Sequence, residues 1–149
     1  MGKTKRGKGT KLMVIADASG LPVAVHTDSA NPHEVRLVQA TLDEIVTVGR
    51  PRRIIGDRTY DIDPLDAALV GQEIELIATH RKNRKKAPPQ DGRALRRYKR
   101  RWKIERLFAW LNKFKKAITR WERSYERFTG LVHLAFSMIL LRRVVKTAH

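Results

Sequence analysis

One glutamate stands inside the most basic stretch of the chain, in the run Arg97-Tyr98-Lys99-Arg100-Arg101-Trp102-Lys103-Ile104-Glu105-Arg106-Leu107-Phe108-Ala109-Trp110-Leu111. Residues 81–123 hold eighteen Lys and Arg against three acids, and Glu105 is one of the three. A carboxylate set among cations and aromatic rings is what metal-dependent cleavage of nucleic acid would use. The acid binds a hard cation while the basic side chains meet phosphate. The plainer reading is an exposed ion pair with Arg101, four residues earlier, worth well under about 1 kcal/mol. Spacing alone leaves both readings open.

A second acid is placed suggestively. Ile54-Ile55-Gly56 reads as a short buried strand whose C-terminal end delivers Asp57. Other chemistry is poorly served. There is no cysteine, which excludes disulfides and thiolate metal sites. The five histidines lack metal-ligand spacing, and Gly7-Lys8-Gly9 lacks the strand–helix context of a phosphate loop.

The elements that must position these acids follow from patterning. Leu12–Ala16 and Leu21–His26 read as a hairpin about the turn Asp17-Ala18-Ser19-Gly20. Asn31-Pro32-His33-Glu34 reads as a helix start, with a helix to about Val48. Asp63-Pro64 opens a short helix ending at Gly71, and residues 73–78 alternate as a strand. Helices alternating with strands after a hairpin predict an α/β or α+β layered fold. Residues 81–92 read as a basic loop, followed by a long helix over 93–118 and another over 125–145. At about 100° per residue, Ile104, Leu107, Phe108, Leu111, Phe114 and Ile118 form one apolar stripe facing a core. Tyr98, Arg101, Glu105 and Asn112 share a narrow strip beside it.

The net charge of +17 is concentrated in the C-terminal half and calls for a polyanionic partner. Nucleic acid is the expected one, contacted by Arg97, Arg100, Lys103, Arg106, Lys113, Arg120 and Arg123. Trp102, Trp110 and Trp121 are available for stacking. A membrane-surface helix fits less well, because the cations lie all round the helix. The N-terminal Met1–Arg6 is not followed by an apolar run, so no secretory signal is read, and the apolar segment Leu131–Leu141 is too short to span a bilayer. A cytoplasmic, nucleoid-associated protein is expected.

At this point a family resemblance appears. Tyr98-x2-Arg101-x3-Glu105 resembles the Tyr-Arg-Glu signature of DDE-type bacterial insertion-sequence transposases. Gly56-Asp57-Arg58-Thr59-Tyr60-Asp61 resembles the segment around that family's second aspartate. The insertion-sequence-five group is the one indicated, from Arg101–Leu111, Arg120-Trp121-Glu122-Arg123, Lys8-Gly9-Thr10-Lys11 and Asp17-x2-Gly20-x-Pro22. The resemblance implies a ribonuclease-H-like mixed sheet flanked by helices. It also implies strand cleavage and strand transfer at element ends, with two Mg²⁺ ions held by three carboxylates. Asp57 and Glu105 would be two of those ligands, with Arg101 and Tyr98 in support. Where the family often has Lys seven residues after the glutamate, this chain has Asn112.

The family's first aspartate lies on a strand ahead of the hairpin, and Met1–Thr10 contains no acid. Asp17 and Asp28 read as turn and helix-start residues. The chain is therefore expected to be a partial catalytic domain: a basic lead-in (1–10), a hairpin and αβ core (11–80), a basic loop (81–92) and C-terminal helices (93–149). On this expectation it lacks the first strand and depends on an upstream segment. DNA, as terminal repeats and target, is the expected partner, together with a homodimer. The alternative is a non-catalytic, basic nucleic-acid-binding remnant.

Overall fold

The computed structural model describes the backbone of residues 2–4, 7–80 and 96–147, with side chains over 9–80 and 96–146. The expected loop over 81–92 and the start of the long helix at 93–95 lie outside the described residues. The chain forms two compact units, residues 1–46 with 103–149, and residues 47–102.

The first unit is built on antiparallel strands β1 (Gly2–Thr4), β2 (Gly7–Ala16) and β3 (Pro22–Ser29). The predicted hairpin is present, with Val14 opposite Val25 and Leu12 opposite Thr27. Within the basic lead-in Gly2 pairs with Gly9 and Thr4 with Gly7, extending the ladder. Side chains alternate across the sheet. Leu12, Val14, Ala16 and Val25 join the core under the C-terminal helices. Ala24 is buried, and the hairpin also packs against α1 (Val38–Asp43). Packing on both faces of this half-buried strand suits the unbroken apolar run Leu12–Ala16.

The helix expected over residues 31–48 is shorter and starts later. His33, not Asn31, is the cap: its backbone is extended and Nδ1 accepts from the Val35 N–H at 3.4 Å. A 3-10 turn, Glu34–Leu37, then leads into α1. The helix stops because Val46 N–H is drawn back to the Val23 carbonyl of β3 at 3.0 Å.

The same unit holds α3 (Trp102–Leu111) from Lys103 on, α4 (Lys115–Ile118) and α5 (Tyr125–Thr147). The predicted continuous helix to Ile118 is broken at Asn112–Phe114. Lys113 and Phe114 N–H groups bond to the carbonyls of Trp110 and Leu111, and Phe114 leaves helical backbone (φ −97°, ψ 78°). That turn lets Phe114 and Ala117 reach the core while Ile118 is left 44% exposed. Helix α5 meets the predicted range closely. It is long and apolar enough to cross a membrane by length and composition, unlike the shorter run read from sequence. Yet Phe128, Val132, Ala135, Phe136 and Ile139 along one stripe are buried in the core with Leu107 and Leu111.

The second unit contains β4 (Arg53–Ile55), α2 (Asp63–Val70) and β5 (Glu75–Ile77), with β4 and β5 parallel. Helix α2 packs on β5 and buries Leu65 and Leu69. Ile62 is its N-cap, so Asp63 and Pro64 are its first helical residues, where Pro lacks no needed hydrogen bond.

Candidate functional site

Strand β4 delivers Asp57. Gly56 N–H continues the parallel ladder by donating to the Ile77 carbonyl at 3.0 Å, and Asp57 is the next residue. Positions just beyond the carboxyl ends of parallel strands are where α/β folds hold ligand-binding groups. Asp57 is half-buried with extended backbone, and its Oδ1 accepts the Thr59 N–H at 2.7 Å, capping the 3-10 turn Arg58–Tyr60. Among the described residues Oδ2 accepts no hydrogen bond, which leaves one hard oxygen donor on an otherwise fixed carboxylate.

The turn after Asp57 is closely packed on its own backbone. A Cβ added at Gly56 would lie 2.8 Å from Cδ2 of Tyr60, so glycine is what allows the ring to fold over the strand end. Asp61 is buried, and His80 Nδ1, beyond the end of β5, sits 3.5 Å from its Oδ1. Sequence spacing gives no sign of this pair, because eighteen residues lie between its members.

Glu105 lies in the other unit, exposed in the first turn of α3, where a carboxylate complements the helix dipole. Its neighbours fasten that turn. Lys103 Nζ donates to the Ala18 carbonyl, and Arg106 donates to the Ser19 carbonyl at 2.9 Å. Both acceptors belong to the β2–β3 turn, which Asp17 closes by accepting the Ser19 and Leu21 N–H groups, each at 2.8 Å. Gly20 completes it with φ +85°, and an added Cβ there would be 3.0 Å from a terminal nitrogen of Arg106. The turn motif flagged in the sequence is therefore the seat of the helix that carries Glu105.

Tyr98 and Arg101 stand outside α3. Tyr98 caps a 3-10 segment, Lys99–Arg101, and Arg101 lies over its ring at 5.7 Å. Three residues per turn there, and the helix end at Leu111, mean that the predicted strip through Tyr98, Arg101, Glu105 and Asn112 does not persist as one helical face.

The seven predicted DNA-contacting cations divide by what their charged heads do. Arg97, Arg100, Lys113 and Arg123 are exposed. Lys103 and Arg106 hold the hairpin turn, and Arg106 also stacks over Trp110 at 4.9 Å. Arg120 is half-buried. It donates to Thr10 Oγ1, to the Glu122 carbonyl at 3.1 Å and to the Arg123 carbonyl at 3.3 Å, and lies over Phe128 at 5.2 Å. No local sequence signal separates the two groups, since Lys103, Arg106 and Arg120 each reach an acceptor on the β2–β3 turn or on β2, far away in sequence.

Among the described residues no group of three or more Asp, Glu or His side chains is gathered as a metal site. Asp17 and Asp28 are each tied to nearby backbone N–H groups. No solved structure matches the chain significantly. Two relatives carry names assigned by inference. One is a transposase for insertion sequence element IS402 from Burkholderia cepacia, 31% identical over 139 residues. That match covers 88% of this chain and 62% of the relative. The other is a transposase for insertion sequence element IS6501 from Brucella ovis, 32% identical over 135 residues, covering 89% of this chain and 98% of the relative. The family model for the transposase DDE domain matches residues 1–141, a span that includes both Asp57 and Glu105. The chain belongs to the DDE-type insertion-sequence transposases.

Proposed function

We propose that this chain acts in DNA strand cleavage and strand transfer at insertion-sequence ends, with Asp57 and Glu105 as two of three metal-binding carboxylates on a ribonuclease-H-like fold. The observation that carries the reading is the family match over residues 1–141, which takes in both acids. The donor chemistry suits Mg²⁺. Asp57 offers an oxygen free of hydrogen bonds among the described residues, and Glu105 is an exposed carboxylate. Bound Mg²⁺ supplies activation of the attacking oxygen and stabilisation of the leaving one.

The chain's own residues bind and orient the DNA. Arg97, Arg100, Lys113 and Arg123 meet phosphates, and their number sets the salt dependence of binding. Lys103, Arg106 and Arg120 keep their supporting surfaces in place. Tyr98 and Arg101 act as a stacked pair in the segment that immediately precedes the helix carrying Glu105. The partners are terminal repeats, target DNA and a second copy of the protein. The place of action is the cytoplasm, on the nucleoid.

The test is to join or co-express an upstream transposase segment and assay cleavage of element-end DNA. Mg²⁺-dependent cleavage that Asp57→Ala and Glu105→Ala each abolish is expected. Cleavage that survives either substitution sinks the assignment. A second reading, nucleic-acid binding without cleavage, draws on the exposed cations Arg97, Arg100, Lys113 and Arg123. It expects steep salt dependence and no response to Mg²⁺.

A further inference from the structure

The three tryptophans have different surroundings. Trp110 is half-buried beneath Arg106, and Trp102 is about half exposed in the first turn of α3. Trp121 is 79% exposed, in the connection between α4 and α5. Ile118 and Tyr125, three residues before it and four after, are also exposed. An indole left in water forgoes the largest apolar burial any side chain offers, and one at a surface position is suited to a partner with a flat apolar face.

The connection that carries Trp121 is braced. The Arg120 guanidinium reaches back to Thr10 on β2 and holds the carbonyls of Glu122 and Arg123, immediately after Trp121, while lying over Phe128 of α5. Ser124 then caps α5, its Oγ accepting the Arg127 N–H at 3.3 Å. Backbone on both sides of Trp121 is thus fixed before any partner arrives, which lowers the entropy cost of binding through it. Lys113, Lys115, Lys116, Arg123 and Arg127 are exposed on this stretch and its flanks, against one exposed acid, Glu126. A partner here carries negative charge as well as a flat apolar face.

We propose that Trp121 is a base-stacking contact, taking an unpaired or unstacked base of DNA while the neighbouring cations hold its phosphates. This rests on the DNA-binding part of the proposed function and adds a preference for distorted or single-stranded DNA. A cation held to phosphate meets paired and unpaired DNA alike, whereas an indole face stacks on any base once it is exposed.

The experiment measures binding of the whole chain to two labelled duplexes of equal length, one fully paired and one with unpaired bases at its end, by fluorescence anisotropy across a salt series. The wild type should prefer the frayed duplex. Trp121→Ala should weaken binding to it about tenfold, in the range of one lost base stack, and abolish the preference. Trp121→Phe should keep most of both. The salt slope should not change in either variant, since no charge is removed. Circular dichroism of Trp121→Ala should match the wild type, as expected for so exposed a side chain. Equal affinities of wild type and Trp121→Ala for the frayed duplex, with normal salt dependence, overturn this inference and leave the DNA reading standing. Salt-insensitive or absent binding by the wild type overturns both. Self-association that Trp121→Ala abolishes, with DNA affinity unchanged, assigns the surface to a second copy of the chain and overturns the inference as well.

Discussion

Arg106 donates to the backbone carbonyl of Ser19 at 2.9 Å, so the residue next to Glu105 is fastened to the turn of the β2–β3 hairpin. Lys103 reaches the adjacent Ala18 carbonyl. Two cations of the most basic stretch in the sequence thus fix the first turn of the helix that carries the acid.

Substitution at Gly20 should therefore disturb α3 as well as the turn. Gly20→Ala places a side chain at φ +85° and within 3.0 Å of the Arg106 nitrogen. A loss of about 1–3 kcal/mol in unfolding free energy is expected. Trimming Arg106 in the same protein should recover the part due to the clash, but not the part due to backbone. Strict additivity of the two substitutions in denaturant titrations would show that they do not interact.

Asp57 has two separable roles, which Asn and Ala distinguish. Asp57→Asn keeps an oxygen for the Thr59 N–H and should preserve most of the stability. Asp57→Ala removes the cap and should cost about 1 kcal/mol. Both should abolish Mg²⁺-dependent cleavage in the joined or co-expressed protein. Thermal melts that rank the two variants the other way would refute the capping role.

Gly56→Ala should be destabilising through Tyr60, because the new Cβ meets the ring at 2.8 Å. About 1–3 kcal/mol is expected from the overpacking. Replacing Tyr60 by Ala in the Gly56→Ala background removes the ring atoms that the new Cβ meets and should lessen the additional cost of the alanine. An unchanged cost would place the strain elsewhere.

Arg120 and Arg123, three residues apart, should behave oppositely. Arg123→Ala removes an exposed cation and should reduce the salt slope of DNA binding by about one, with the melting temperature unchanged. Arg120→Ala removes bonds to Thr10 and to two backbone carbonyls and should destabilise the fold by about 1–3 kcal/mol. An unchanged melting temperature in Arg120→Ala would contradict the bracing role.

The start of α5 should respond to acid. The Ser124 hydroxyl donates to Glu126 at 2.6 Å and, as the leading cause, holds the carboxyl below its ordinary value of 4.5, with Arg120 adding a smaller pull. A lowered folded-state pKa means that the contribution is complete above about pH 4.5. It fades as the pH falls through the lower folded value. Ser124→Ala should move the Glu126 titration, followed by carboxyl NMR, back toward 4.5. No movement would show that the hydroxyl is not the cause.

Several elements were legible because their causes are local. The Asp17–Gly20 hairpin follows from turn chemistry, the strand leading to Asp57 from a short apolar run, and the core-facing side of α3 from a stripe at helical spacing. The family motif around Glu105 was likewise legible, since it is a pattern of residue types. The shortened α1 was not, because it ends where Val46 returns to β3, and β3 is far away in sequence. The break at Asn112–Phe114 was hidden too, since a smooth helical pattern continues through it while Phe114 turns to fill the core.

What the sequence determined by itself is the inventory: a +17 chain, two carboxylates in recognisable frames and the residue types that nucleic acid demands. What only the tertiary structure decided is which cations are spent inside the fold. Lys103, Arg106 and Arg120 look like their neighbours in sequence, yet their heads satisfy carbonyl and hydroxyl groups roughly 85 to 110 residues away. Whether an arginine serves the fold or a partner depends on the acceptors around it, and those are brought near by folding alone.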